Sequence, residues 1–310
     1  MRAFIFPGQG SQSVGMGSAL ADASAAAREV FEEVDDALGE KLSRLMAHGP
    51  DDALTLTENA QPAIMANAIA TLRVLERDGG VRLADKAAFV AGHSLGEYTA
   101  LCAAGAIDLA TTARLLKLRG RAMQSAVPVG EGAMAALLGA TLDQARAIAE
   151  AAAEGQVCAV ANDNAAGQVV LSGHREAIER AVALCREHGV KKGMLLPVSA
   201  PFHCALMAPA ADAMAAALAE AKVQAPLVPL YANVTAAPVT DPATIRAQLV
   251  AQVTGMVRWR ESVIAMADAG VEQFVELGAK VLGPMVKRTV EVPVTSVVAM
   301  DEIEALAASV

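Results

Sequence analysis

Aromatic side chains are scarce in this sequence: one Trp, two Tyr and six Phe, 3% of 310 residues. The core must therefore be assembled from Ala, Leu, Val and Met, and at 54% hydrophobic residues the chain has enough of them. Basic residues are outnumbered, 25 Lys and Arg against 34 Asp and Glu. The net charge is −9, and no basic block interrupts that balance. This argues against a nucleic-acid or anionic-membrane protein. Cysteine is confined to Cys102, Cys158, Cys185 and Cys204, with no C-x-x-C pair, the usage of reduced and mostly buried thiols. Two long stretches, Gly193 to Ala211 and Val223 to Thr240, lack Asp, Glu, Lys and Arg, but prolines interrupt both, and neither reads as a membrane span. Met1-Arg2-Ala3-Phe4 enters a strand directly, without an apolar signal core. The expectation is a soluble, cytoplasmic protein.

The length suits one large or two ordinary domains. Strand and helix patterns alternate, which predicts the α/β class. Ala3 to Phe6 reads as a strand, followed by helices over Ser24 to Leu38 and Gln61 to Arg77, with Pro62 suited to the first turn of the second. Asp108 caps a helix that runs to about Ser125. Pro128 to Gly132 reads as a linker. Beyond it come strand (Ala133 to Leu138), helix (Thr141 to Ala153), two strands (Val157 to Ala161 and Gln168 to Leu171) around an Asn162-Asp163-Asn164 turn, helix (Glu176 to His188) and strand (Met194 to Val198). That β-α-β-β-α-β order is the ferredoxin-like motif. It predicts a small inserted subdomain over 128–198, flanked by one large domain made of 1–127 and 199–310.

The stretch that carries chemistry is Phe89-Val90-Ala91-Gly92-His93-Ser94-Leu95-Gly96-Glu97. An apolar strand, then Gly-x-Ser-x-Gly, then a helical pattern is the nucleophile elbow, which lifts a serine hydroxyl clear of the sheet. The first free N–H groups of the following helix then point at any oxyanion formed there. A glycine-rich turn, Pro7-Gly8-Gln9-Gly10-Ser11-Gln12, follows the first strand and allows close backbone approach to a ligand. Its spacing matches neither dinucleotide nor phosphate-loop patterns.

A serine nucleophile needs a base. His93 is next to Ser94, where neighbours on a sharp turn point apart. His48, His174 and His188 sit among charged or turn residues and read as exposed. His203 lies in an uncharged, proline-bracketed segment where the insertion ends, and is the candidate by elimination. Asp163 falls inside the insertion, so a backbone or amide oxygen is the expected orienter of the imidazole. Arg119 is flanked at three and four residues by Leu115, Leu116, Ala122 and Met123. An arginine on an apolar face must meet an anion, either a distant acidic side chain or a ligand carboxylate. No metal-ligand spacing occurs.

Four motifs occur in order: Phe6-Pro7-Gly8-Gln9-Gly10-Ser11-Gln12, Gly92-His93-Ser94-Leu95-Gly96-Glu97, Leu118-Arg119-Gly120-Arg121 with Met123-Gln124, and Pro201-Phe202-His203. Together they resemble the malonyl-CoA:acyl carrier protein transacylases of bacterial fatty acid synthesis, over essentially the whole chain. The resemblance implies an α/β-hydrolase-like large domain interrupted by the ferredoxin-like subdomain. It implies Ser94 as nucleophile and His203 as base, with the Gln252 backbone carbonyl holding the imidazole. It implies an oxyanion hole from the Gln9 and Leu95 N–H groups, and substrate contacts at Arg119, Met123, Asn162 and Phe202. Phe202 stands where many members carry a small residue, and is compatible with malonyl selection. Malonyl-CoA and a phosphopantetheinylated acyl carrier protein would be the substrates, with no cofactor, no metal and a monomeric enzyme. The carrier would dock on a local basic patch, for which Lys191, Lys192, Lys280, Lys287 and Arg288 are candidates. Malonyl loading for polyketide synthesis or malonate decarboxylation, and a serine thioesterase, are the competing readings.

Overall fold

The fully apolar segments that glycine and proline punctuate become the central strands of a parallel sheet. A computed structural model describes residues 1–198 and 200–310. In chain order the strands are β1 (Arg2–Phe6), β2 (Phe89–Gly92), β3 (Gly132–Leu138), β4 (Cys158–Ala165), β5 (Gln168–His174), β6 (Lys192–Leu195), β7 (Leu230–Ala232), β8 (Ala237–Val239), β9 (Gln273–Leu277) and β10 (Val294–Val297). The large sheet has the order β10-β9-β1-β2-β7-β8, parallel throughout except for the β7–β8 hairpin. Ala3, Phe4, Ile5 and Phe6 of β1 are all fully buried, as expected for a strand covered on both faces. The small sheet, β4-β5-β3-β6, is antiparallel throughout. Its two helices, Leu142–Ala153 and Arg175–Leu184, complete the ferredoxin-like order inside a mixed α/β chain.

Alanine does the work that aromatics do elsewhere. The Thr57–Arg77 helix buries Ala60, Ala63, Ala66, Ala68 and Ala70 against the large sheet and its neighbouring helices. Small side chains bring backbones close. A Cβ on Gly278 would lie 2.6 Å from the Ala68 Cα, and one on Gly120 would lie 2.5 Å from the Glu58 Cα. This second contact corrects the expected helix start. The helix begins at Thr57, a turn before Gln61, because its first turn tucks against Gly120. Pro62 is therefore inside the helix, not in its first turn.

The Asn162-Asp163-Asn164 segment is also not a turn. It lies within β4, and the chain reverses at Ala166-Gly167. Register shifts at Val160/Asn162 and Asp163/Ala165 re-aim these side chains. Asn162 and Asn164 face the cleft between the sheets. Asp163, 1% exposed, bonds Arg260 through Nε and Nη2, and its N–H donates to the Val257 carbonyl. That clamp fastens the small sheet to the Trp259–Asp268 helix. His174, expected at the surface, is half-buried and accepts the Val157 N–H at 2.9 Å, whereas His48 is exposed. Among the described residues no helix is long and apolar enough to cross a membrane.

Removing one partner of a buried ion pair strands the other charge. Arg260→Leu should lower unfolding free energy by about 3 kcal/mol, and adding Asp163→Asn should restore part of it. Denaturant unfolding of the two variants checks this; equal losses would show that the clamp is not electrostatic.

Candidate active site

The turn from β2 into the Leu95–Ala103 helix forces Ser94 to φ 53° and ψ −109°, so the serine itself, not a glycine, takes the left-handed backbone. Holding a side-chain-bearing residue there costs about 1–2 kcal/mol. The flanking glycines serve close approach instead. A Cβ on Gly92 would meet the Gly96 carbonyl carbon at 1.9 Å, and one on Gly96 would meet the Phe6 carbonyl oxygen at 2.3 Å. Asn233, fully buried, holds the strained turn: its Oδ1 accepts the Ser94 N–H at 2.8 Å and its Nδ2 donates to the Gly92 carbonyl at 2.7 Å.

The Ser94 hydroxyl lies 2.8 Å from His203 Nε2. His203 Nδ1 lies 2.8 Å from the Gln252 carbonyl, so Nδ1 carries the proton and Nε2 is the acceptor. The imidazole is 4% exposed. Burial, and secondarily the Arg119 charge, push it down to about 3, which keeps it a neutral base. Among the described residues no carboxylate bonds this histidine; Asp163 is engaged with Arg260.

Arg119 is 1% exposed. Its Nη1 donates to Gln61 Oε1 at 2.7 Å, and its Nη2 to Gln252 Oε1 at 2.8 Å and to Ser94 Oγ at 3.1 Å. Among the described residues its Nε has no hydrogen-bond partner, and its guanidinium lies 5.7 Å from the Tyr98 ring centre. Among the described residues no acidic side chain forms an ion pair with it. Of the two readings open in the sequence, a direct acidic partner is thus removed. Two amide oxygens hold the guanidinium beside the nucleophile, with donor capacity left over.

Gln9 and Leu95 line the same cleft, about 470 Å³ in volume. Among the described residues neither backbone N–H is taken by another group, while the Gln9 side chain donates to Thr57 Oγ1 at 3.2 Å. Met123, Asn162 and Phe202 line it as well, so the catalytic, oxyanion and acyl-contact candidates read from the sequence converge on one place, the Gln252 carbonyl reaching it through His203, whereas Lys191, Lys192, Lys280, Lys287 and Arg288 are not among its lining residues. The small sheet supplies the opposite wall through Met134, Asn162, Asn164 and Val170. His93 joins the walls: its Nε2 lies 2.7 Å from Asn164 Oδ1. Sequence reasoning missed Gln61, Glu97, Asn164 and Asn233. Glu97 carried a signal, an acid in the first turn of an otherwise apolar helix; the three amides carried none. Among the described residues no group of three or more His, Cys, Asp or Glu could hold a metal ion.

The family model described as the acyl transferase domain matches residues 3–306. The chain is 46% identical to the malonyl CoA-acyl carrier protein transacylase of Escherichia coli K12 over 99% of this chain and 98% of that protein. The structure of an acyl-carrier-protein S-malonyltransferase from Bartonella henselae superposes with a TM-score of 0.97 at 52% identity, covering 99% of this chain and 98% of that one. A malonyl-transacylase solved in complex with its type II PKS acyl-carrier protein superposes with a TM-score of 0.96 at 38% identity, covering 100% and 99%. With its elbow, its carbonyl-held imidazole and this full-length similarity, the chain belongs to the acyl transferase family.

Proposed function

We propose that this protein moves malonyl from malonyl-CoA to the phosphopantetheine thiol of an acyl carrier protein, through a malonyl ester on Ser94, for fatty acid synthesis. The observation that carries this reading is the position of the Ser94 hydroxyl, within bonding reach of both a neutral imidazole and a buried arginine that has no carboxylate partner. The E. coli and B. henselae relatives are named for this activity. Localisation in the cytoplasm, a monomeric state and independence of any cofactor belong to the same reading.

In the first half-reaction Ser94 Oγ attacks the thioester carbonyl carbon and its proton passes to His203 Nε2. The oxyanion falls to the Gln9 and Leu95 N–H groups, each worth about 3 kcal/mol. Collapse breaks the C–S bond, and His203 returns the proton to the departing CoA sulfur. In the second half the carrier thiol gives its proton to His203, sulfur attacks the ester carbonyl, and the Ser94 oxygen leaves and recovers the proton. Arg119 pairs with the free malonyl carboxylate. An acetyl group leaves that buried guanidinium without its anion, which is how the site would select malonyl. Met123, Asn162 and Phe202 would shape the acyl pocket. Lys280 is paired with Glu302, leaving Lys191, Lys192, Lys287 and Arg288 as the freer carrier-docking candidates.

A second reading keeps the chemistry and changes the pathway, since the relative solved with its carrier holds a type II PKS carrier protein. Transfer rates to fatty acid and polyketide carriers separate the two. A thioesterase would not retain its acyl-enzyme in water.

Intact-protein mass after mixing with malonyl-CoA should show a persistent adduct that moves to the carrier protein, and Ser94→Ala should show none; a labelled Ser94→Ala protein would remove the nucleophile assignment. Arg119→Ala should cut malonyl transfer by on the order of 100-fold while sparing acetyl transfer; an equal loss for both would remove the selectivity role. Because His203 stays neutral in the folded protein, single-turnover acylation should not fall between pH 7 and pH 5, where an ordinary histidine would protonate. The sign for stability is opposite. The unfolded chain binds a proton at its histidine below about pH 6.5, so the stability His203 contributes is present above that pH and lost as pH falls toward 3. Rapid-quench acylation and denaturant unfolding against pH measure the two; an acylation midpoint near 6.5 would contradict the neutral base.

A further inference from the structure

Beneath the elbow lies a second buried ionisable group that the transfer mechanism does not use. Glu97 is 1% exposed. Its Oε2 accepts the Asn233 N–H at 3.0 Å and Gln252 Nε2 at 2.9 Å, and among the described residues its Oε1 has no partner. The other end of the same amide, Gln252 Oε1, accepts Arg119 Nη2 at 2.8 Å. One carboxyl and one guanidinium, both excluded from water, are thus joined through a single glutamine and touch no other charge.

We infer that Glu97 is the internal counter-charge of Arg119, and that seating a malonyl carboxylate on Arg119 drives a proton onto Glu97. This rests on the malonyl reading of the site. In the empty site, ionised Glu97 and Arg119 sum to zero charge. A substrate carboxylate on Arg119 would leave two negative charges against one positive around side chains that are 1% exposed, and uptake of one proton restores neutrality. Acetyl brings no charge and requires no proton.

The surroundings leave Glu97 as the group that answers. Burial pushes its carboxyl up to about 7, against the pull of the two bonds to Oε2 and of Arg119. Tyr98, beside it, is pushed up to about 12 by burial, and His203 is held neutral far below pH 7. His93 is lowered by burial as well. Charges on the helices packed against the elbow helix are engaged away from Glu97: Glu58 with Arg121, Lys117 with Glu40, and Arg73 with Glu76. Strand β7 brings Tyr231, bonded to the Ala265 carbonyl, and β1 brings Arg2, bonded to Gln273.

Glu97 is therefore a residue that sets specificity through Arg119, and it makes malonyl preference depend on pH. Below about pH 7 it is already protonated, and Arg119 faces the cleft with its full charge. Above it, the carboxylate competes with the substrate, and the equilibrium ratio of malonyl to acetyl self-acylation should fall about fivefold between pH 7 and pH 8.

The test is proton counting in weakly buffered solution with an indicator dye, using the whole wild-type enzyme and malonyl-CoA, with adduct measured in parallel by mass. Transfer from thioester to ester is itself proton-neutral apart from ionisation of the released CoA thiol. That contribution is shared by an acetyl-CoA arm and by a Glu97→Gln arm, and is subtracted. The expected result is about half a proton taken up per malonyl-serine at pH 7, rising toward one at pH 8, with none in either control and a flat malonyl-to-acetyl ratio in Glu97→Gln. Adduct formed with no net uptake overturns the inference while leaving the transferase intact. No adduct overturns the transferase reading itself, and the inference with it. If Glu97→Gln does not fold, the acetyl arm on the wild-type enzyme decides alone.

Discussion

The backbone and side chain of Gln252 act at one point on three groups that must agree in position. Its carbonyl accepts from His203 Nδ1, its Oε1 accepts from Arg119, and its Nε2 donates to the Ser94 carbonyl. His203, Arg119 and Ser94 are thereby registered to one another through a residue that is itself fully buried at the end of the Pro242–Thr254 helix. A carboxylate in place of that carbonyl would also orient the imidazole, but it would add a charge beside Arg119. A neutral amide holds the imidazole without adding a second carboxylate beside the arginine. On the proposed function, the electrostatic task of selecting a negatively charged acyl group thus constrains how the histidine is held.

The rest of the fold keeps that registration rigid with small side chains. Glycine contacts at Gly92, Gly96 and Gly120 bring backbones within distances at which a single added methyl would collide. The elbow therefore closes on itself and on the end of β1 through main chain, and the Thr57–Arg77 and Leu109–Ser125 helices meet through main chain at Gly120. Across the cleft, the Asp163–Arg260 pair and the His93–Asn164 contact fix the small sheet against the large one. The cleft is lined by both, so its width depends on those two attachments.

Much of this was legible in the residues. The elbow could be read from Gly92 to Gly96 because strand, turn and helix each leave a local pattern. The βαββαβ order could be read from hydrophobic periodicity, and His203 from elimination. Arg119 announced a missing anion because apolar neighbours at helical spacing are a local property too. What escaped reading depends on distant pieces of chain. Asn162 to Asn164 looked like a turn by composition and became a bulged strand because Arg260, far along the sequence, claims Asp163. Thr57 to Ala60 joined their helix because Gly120 leaves space for them. Gln61 and Asn233 have no local mark at all, since an amide becomes functional only through what faces it.

In the proposed reaction one imidazole, His203, 2.8 Å from the Ser94 hydroxyl, serves both half-reactions, receiving a proton from serine or from thiol and returning it to whichever leaves. Nothing in that arrangement distinguishes an arriving thioester from a departing one. The site lowers the barrier equally from either side and stores no preference for direction. Net flow of acyl groups is then dictated by the supply of charged and free thiols around the protein, and this chain acts as an equilibrator between two pools, whose committed step lies with whatever consumes the loaded carrier.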